Sequence, residues 1–269
     1  MRRALDGAHS VLLTMQRQIV LFLVATQFLT RLPTPAWGSF QPSWLSQSAR
    51  YFPLVGVLVG GINVGTWWLL GHWLPPTVTV GLMLAASLLV TGAFHEDGFA
   101  DAVDGFGGGR DRERVLEIMK DSRIGSFGAI AVALMLLAKF NALAQIDALG
   151  GRRMLALALV AGHPLSRFAS TTLIWALDYV REDDSAKSKS LTRRLSPAEL
   201  ALAALFGLTP CLLLAGSRVW IGIGLATAVT VLAAGYFVRR IGGYTGDCLG
   251  ATQQLAELAF YVGLLCASS

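Results

Sequence analysis

Eight of the seventeen acidic residues in this 269-residue chain lie between Glu96 and Asp121. Within that stretch, Phe94-His-Glu-Asp-Gly-Phe-Ala-Asp-Ala-Val-Asp-Gly-Phe-Gly-Gly-Gly-Arg110, the acids have helical spacing. On a helix Asp101 lies about 40° from Asp97 and Asp104 about 20° to its other side, so three carboxylates stack on one stripe with Glu96 at its flank. Like charges at i,i+3 and i,i+4 repel, and a bound divalent cation resolves that conflict. Hard oxygen ligands without His or Cys point to Mg²⁺ or Mn²⁺, and Mg²⁺ commonly binds through carboxylates plus a substrate phosphate. The plainer alternative is a solvated acidic face. It is weakened by Phe99, Ala100, Ala102 and Val103, which make the same helix amphipathic with its acids on the narrow side.

Directly after the carboxylates, Gly105-Phe-Gly107-Gly108-Gly109 offers backbone N–H groups that could curl into an anion nest around a phosphate, or a flexible break between helices. Lys120 and Arg123 follow, just ahead of Gly125-Ser-Phe-Gly128, and are better phosphate candidates than Arg112 and Arg114, which read as the solvated side of a short helix. Acids, glycines and cations together suggest phosphoryl or pyrophosphoryl chemistry. Further on, Arg239-Arg240-Ile-Gly-Gly-Tyr-Thr-Gly-Asp247 places Asp247 where it could join the cation cluster from across a bundle, and Gln253, Gln254 and Glu257 continue a polar stripe behind it.

The elements that must hold these groups are apolar. Hydrophobic residues make up 54% of the chain, charged residues only 14%, and the mean hydropathy is +0.57. A soluble domain carries roughly 25% charged residues, so the chain reads as an all-α polytopic membrane protein, one domain over 1–269. Seven segments can cross about 30 Å of hydrocarbon: 54–74, 76–94, 126–146, 154–177, 198–217, 219–238 and 251–267. Gln18–Thr30 is too short for an easy crossing and reads as a re-entrant or interfacial helix. Pro75-Pro76 and Gly150-Gly151 mark turns between spans. The excess of Lys and Arg, net charge +5, is an orientation signal rather than a nucleic-acid footprint. Seventeen of the 22 cations fall on the side of the acidic loop, including Lys187 and Lys189, and Arg152, Arg153 and Arg218 on the other, which puts the acidic loop in the cytoplasm. Lys139 and Arg167 lie inside spans, where charge is costly and tends to be functional. Arg167 belongs to His163-Pro-Leu-Ser-Arg167, in which Pro164 would break a helix, whereas Lys139 could equally be structural glue. Cys211, Cys248 and Cys266 suggest neither a zinc site nor a disulfide frame.

Gly92-Ala-Phe-His-Glu-Asp-Gly-Phe-Ala-Asp-Ala-Val-Asp-Gly-Phe-Gly-Gly-Gly109 followed by Arg114-Val-Leu-Glu-Ile-Met-Lys-Asp-Ser-Arg-Ile-Gly-Ser-Phe-Gly128 resembles cobalamin synthase, the adenosylcobinamide-GDP ribazoletransferase family. Colinear similarity extends to Phe28–Pro33, Arg50–Gly56, His163–Arg167 and Gly242–Ala251, while 178–218 carries little that matches. The resemblance implies that a ribose hydroxyl of α-ribazole, or of its 5′-phosphate, displaces GMP from adenosylcobinamide-GDP with the help of Mg²⁺, at a cell inner membrane. On that reading Glu96, Asp97, Asp101 and Asp104 hold the metal. His95 or a carboxylate, Asp104 and Asp247 being the ones at hand, takes the hydroxyl proton. Gly107, Gly108, Lys120, Arg123, Arg167 and Arg240 meet the substrate. Other enzymes of the same pathway are plausible partners, though no residue identifies them. Asp101-Ala-Val-Asp104-Gly105 also opens the motif of the CDP-alcohol phosphotransferases, whose remaining acids are missing at the required spacing. A secondary transporter would suit the charges within spans, but no inverted repeat is visible.

Overall fold

A computed structural model describes residues 2–35, 41–181 and 193–266, with backbone alone for 2–14 and 42. Lys187 and Lys189 lie outside the described residues. Helix α1 (Arg2–Leu29) leads to α2 (Pro42–Ser48), which runs through a 3₁₀ turn into α3 (Phe52–Leu70). Then come α4 (Pro76–Thr91), α5 (Phe94–Gly108), α6 (Arg112–Ile118) and α7 (Ser126–Ala176). The chain closes with α8 (Pro197–Leu208), α9 (Arg218–Ile241) and α10 (Gly246–Leu265). No strand occurs among the described residues; Tyr179 and Tyr244 form an isolated bridge.

The 51 residues of α7 form two legs. Lys139 Nζ and His163 Nδ1 both reach the Glu257 carboxylate, at 3.2 and 3.6 Å. Straight helix would hold residues 139 and 163 about 36 Å apart, so the chain doubles back between them. The break is Gly151, at φ 67° and ψ −174°, a conformation open to glycine and closed to nearly every other residue. Pro164, by contrast, leaves its leg unbroken: Gly151 is the residue of α7 with non-helical angles. Gln18–Thr30 is not a separate short helix but the end of the 28-residue α1.

Each segment read as a span is built mainly from helix, but they are not equivalent. By length and composition three helical stretches among the described residues can cross a membrane: Ser43–Leu70, Ser126–Ala176 and Arg218–Ile241, with the bent pair α4 and α5 a fourth if it counts as one span. Pro197–Leu213 is a shorter apolar stretch. Helix α10 packs against α9, α7 and α5 and turns Gln253, Gln254 and Glu257 inward, each under 4% exposed. Its polarity therefore belongs to the bundle interior, where a lipid-facing helix could not carry it.

Between α4 and α5 the axis turns by 86°. Gly92 and Ala93 make the turn with φ values of 66° and 56°. For alanine that left-handed conformation is strained, and it immediately precedes the acidic helix. Helix α5 leaves the direction of α4 and runs on into the exposed residues Arg110–Arg114.

Candidate functional site

The acidic residues of α5 have three destinations. Glu96 points into the bundle, where its Oε1 accepts from Gln254 Nε2 at 2.8 Å. Asp104, 8% exposed, accepts from the N–H groups of Gly125 at 2.7 Å and Gly128 at 2.8 Å. Both its oxygens are thus spent on the orphan donors and positive dipole end of α7. A Cβ at Gly125 or Gly128 would collide with that carboxylate, which explains the Gly-Ser-Phe-Gly spacing without any phosphate. Asp97 and Asp101 keep to the open face. The expected four-carboxylate cluster of Glu96, Asp97, Asp101 and Asp104 is therefore not assembled: Asp104 is claimed by the start of α7, and Glu96 is turned toward Gln254, its Oε2 buried without a hydrogen-bond partner.

Asp247 completes the open face from across the bundle. It sits in the first turn of α10, where a carboxylate is favoured by the helix dipole, and Thr245 Oγ1 donates to its Oδ2 at 3.3 Å. Helices α5 and α10 meet almost backbone to backbone: a Cβ at Gly98 would lie 3.2 Å from Asp247 Cα. That contact brings three like charges together. Burial, followed by the nearby charges of Asp247 and Asp97, pushes the Asp101 carboxyl up to about 7. Burial also pushes Asp247 up to about 6, against the pull of Arg181 and the Thr245 hydroxyl. Arg181 closes on Asp247 Oδ2 at 3.3 Å and donates to the Met119 carbonyl at 2.9 Å. Nothing in the sequence pairs it with an aspartate 66 residues away, and its position emerges only from the fold.

The other expected contacts are differently employed. His95, 5% exposed, faces the bundle interior rather than the open carboxylates, lining a small polar cavity with Asn63, Lys139, His163 and Gln254. Arg167 is buried there too, donating to the His163 carbonyl at 3.0 Å. Gly107 and Gly108 belong to α5, and no residue from 105 to 109 has a positive φ, so no nest forms. A Cβ at Gly105 or Gly109 would instead strike Val115 or Met119; the small residues let α6 pack closely. Arg240 donates to the Gly109 carbonyl at 2.7 Å and stacks over Phe106, holding the C-terminal end of α5. Arg123 is 87% exposed and paired with Asp121 at 2.7 Å, which holds the Asp121 carboxyl down at about 2. Lys120 is exposed beside Met119. Behind α5, on the face away from the acids, Phe99, Val103, Phe106, Tyr236 and Phe237 line an apolar groove of about 900 Å³.

A divalent cation is chemically suited to the open face, which offers hard oxygen donors that repel one another. Among the described residues no three His, Cys, Asp or Glu side chains close on a single point. The donors therefore suit an ion that takes one or two carboxylates and completes its shell with substrate oxygens, as Mg²⁺ does.

Fold and site together define an integral-membrane helical protein with an acidic face where α5 meets the start of α10. The chain belongs to the cobalamin-5-phosphate synthase family, whose profile matches residues 21–265. A protein of Shewanella frigidimarina named adenosylcobinamide-GDP ribazoletransferase is 43% identical over 249 residues, spanning 93% of this chain and 95% of its own. Proteins of the same name from Shewanella piezotolerans and Shewanella baltica are 42% identical over 250 residues and 44% over 253, spanning 93% of this chain and 96% and 95% of theirs. No solved structure matches the chain. It is thus an enzyme, a transferase of cobalamin biosynthesis.

Proposed function

We propose that the protein transfers the adenosylcobinamide-phosphate group of adenosylcobinamide-GDP to the ribose hydroxyl of α-ribazole or its 5′-phosphate, releasing GMP, with Mg²⁺ as cofactor. The family and the printed names of the relatives supply the reaction class. The observation that carries the reading to particular residues is the close approach of α5, at Gly98, to Asp247 at the start of α10, which sets Asp97, Asp101 and Asp247 on neighbouring turns of two packed helices. One or two of these carboxylates, with substrate oxygens completing the shell, would hold the ion. When bound, Mg²⁺ would offset charge on the diphosphate and on the departing GMP.

The chain's own residues do the rest. Asp104 fixes the entry of α7 against α5, and Gln254 ties Glu96 to α10, so the two acid-bearing helices keep their register. Arg240 closes the end of α5. The acceptor hydroxyl gives up its proton to a carboxylate of the open face, since His95 faces away. The excess of Lys and Arg on that side supports an inner membrane with the site at its cytoplasmic face, where a nucleotide substrate is found.

Purified full-length protein in phospholipid vesicles, given adenosylcobinamide-GDP, α-ribazole and Mg²⁺, is expected to release GMP with one corrinoid product per GMP. Folded protein that releases none overturns the proposal.

A further inference from the structure

Arg181 is, among the described residues, the guanidinium that reaches the open carboxylates. Its backbone is pinned there: Val180 N–H donates to the Tyr244 carbonyl at 3.0 Å, and Tyr244 N–H donates to the Asp178 carbonyl at 2.9 Å. The Tyr179 and Tyr244 rings meet edge to face at 5.4 Å. This short bridge ends three residues before Asp247, so the segment leaving α7 and the segment entering α10 deliver a cation and a carboxylate to the same point. The Arg181 side chain is 19% exposed where it meets Asp247, and its charge acts on Asp101 as well. The other arginines of the neighbourhood are engaged elsewhere: Arg123 with Asp121, Arg240 with Gly109, Arg112 with the Ile241 carbonyl at 3.0 Å.

We propose that Arg181 is a substrate-contacting residue that changes partners, passing its guanidinium from Asp247 to the diphosphate oxygens of the incoming substrate. The inference rests on the phosphoryl-transfer reading above and deepens it. A diphosphate entering beside three carboxylates meets strong repulsion unless cations lie between them. The planar guanidinium matches two phosphate oxygens at once, as it matches a carboxylate. Leaving Asp247, it also releases the carboxylate best placed at a helix N-terminus to take part in cation binding. Tethering through the Met119 carbonyl keeps the fork at the pocket while it makes the exchange.

The test compares wild type, Arg181→Gln and Arg181→Lys as full-length proteins in vesicles. Arg181→Gln is expected to raise KM for adenosylcobinamide-GDP about tenfold or more, the scale of one charge-assisted contact, while KM for α-ribazole stays within about twofold. Arg181→Lys recovers part of the loss, having the charge but not the fork. An unchanged KM for adenosylcobinamide-GDP, or a parallel rise in both KM values, overturns the assignment. A second arm needs no turnover: calorimetric binding of inorganic pyrophosphate with Mg²⁺ weakens about tenfold in Arg181→Gln. Should the wild type fail to turn over adenosylcobinamide-GDP while this difference holds, the Arg181 contact stands and the reaction reading fails. Equal pyrophosphate affinity in the two proteins, or binding by neither, overturns Arg181.

Discussion

Two charged regions lie within one helix pair of each other and are built on opposite rules. In the bundle interior, the Glu257 carboxylate accepts from Lys139, from Gln253 at 2.6 Å and from Tyr261 at 3.3 Å, with His163 alongside. Gln253 also reaches Ser166 at 2.9 Å. Charge there is met by opposite charge and by amides, with Lys139 and Glu257 each 3% exposed. On the open face, Asp97, Asp101 and Asp247 repel one another, with Arg181 to offset them. Balanced charges hold helices together; like charges set side by side are relieved when a cation binds between them. Both Glu96 and Asp104 start on the acidic stripe of α5 and end on the structural side of this divide.

The two regions should respond oppositely to mutation. Asp101→Asn or Asp247→Asn is expected to lower kcat/KM by about 10²–10³-fold, the scale of losing a transition-state charge contact, while thermal unfolding in detergent shifts upward or not at all because repulsion is relieved. A fall in Tm with near-normal activity would place these acids with the structural set. Glu257→Gln should do the reverse. Leaving Lys139 uncompensated costs about 3–5 kcal/mol, read as a lower Tm, whereas folded protein keeps its activity within several-fold. Adding Lys139→Met to it should recover most of the stability. Asp104→Ala should cost about 1–2 kcal/mol through the lost cap of α7, with loss of activity following loss of folded protein. At the small end, Arg123→Ala and Asp121→Asn should leave turnover within about twofold. The Asp121 carboxyl lies below its unfolded-state value of about 4, so its stabilisation is present above that pH and lost as pH falls through about 2. Unfolding curves of wild type and Asp121→Asn should therefore have the same pH dependence from pH 5 to 9 and diverge only in acid.

Much of this architecture was legible in the chain. Apolar runs between Gly and Pro punctuation mark the helices, Gly150-Gly151 marks the reversal in α7, and the spacing of Asp97 and Asp101 marks the acidic face. What escaped is set by long-range geometry. A stripe drawn at 100° per residue treats Asp97, Asp101 and Asp104 as neighbours, but the N-terminus of α7, more than twenty residues on, claims Asp104 for its unpaired N–H groups. The glycine run suits an anion nest and suits tight packing equally well, and only the backbone angles decide between them. Arg123 carries the right charge at the right place in sequence, and Asp121, two residues away, neutralises it. Arg181 has no motif to announce it.

The most direct test of the account titrates Mg²⁺ into EDTA-treated wild type and Asp247→Asn side by side, with adenosylcobinamide-GDP and α-ribazole present and GMP as the readout. Wild type is expected to be silent without Mg²⁺ and to recover fully on its addition. The variant should need at least about tenfold more Mg²⁺ or fail to recover. Metal-independent turnover by the wild type, or superimposable titrations of the two proteins, would contradict it.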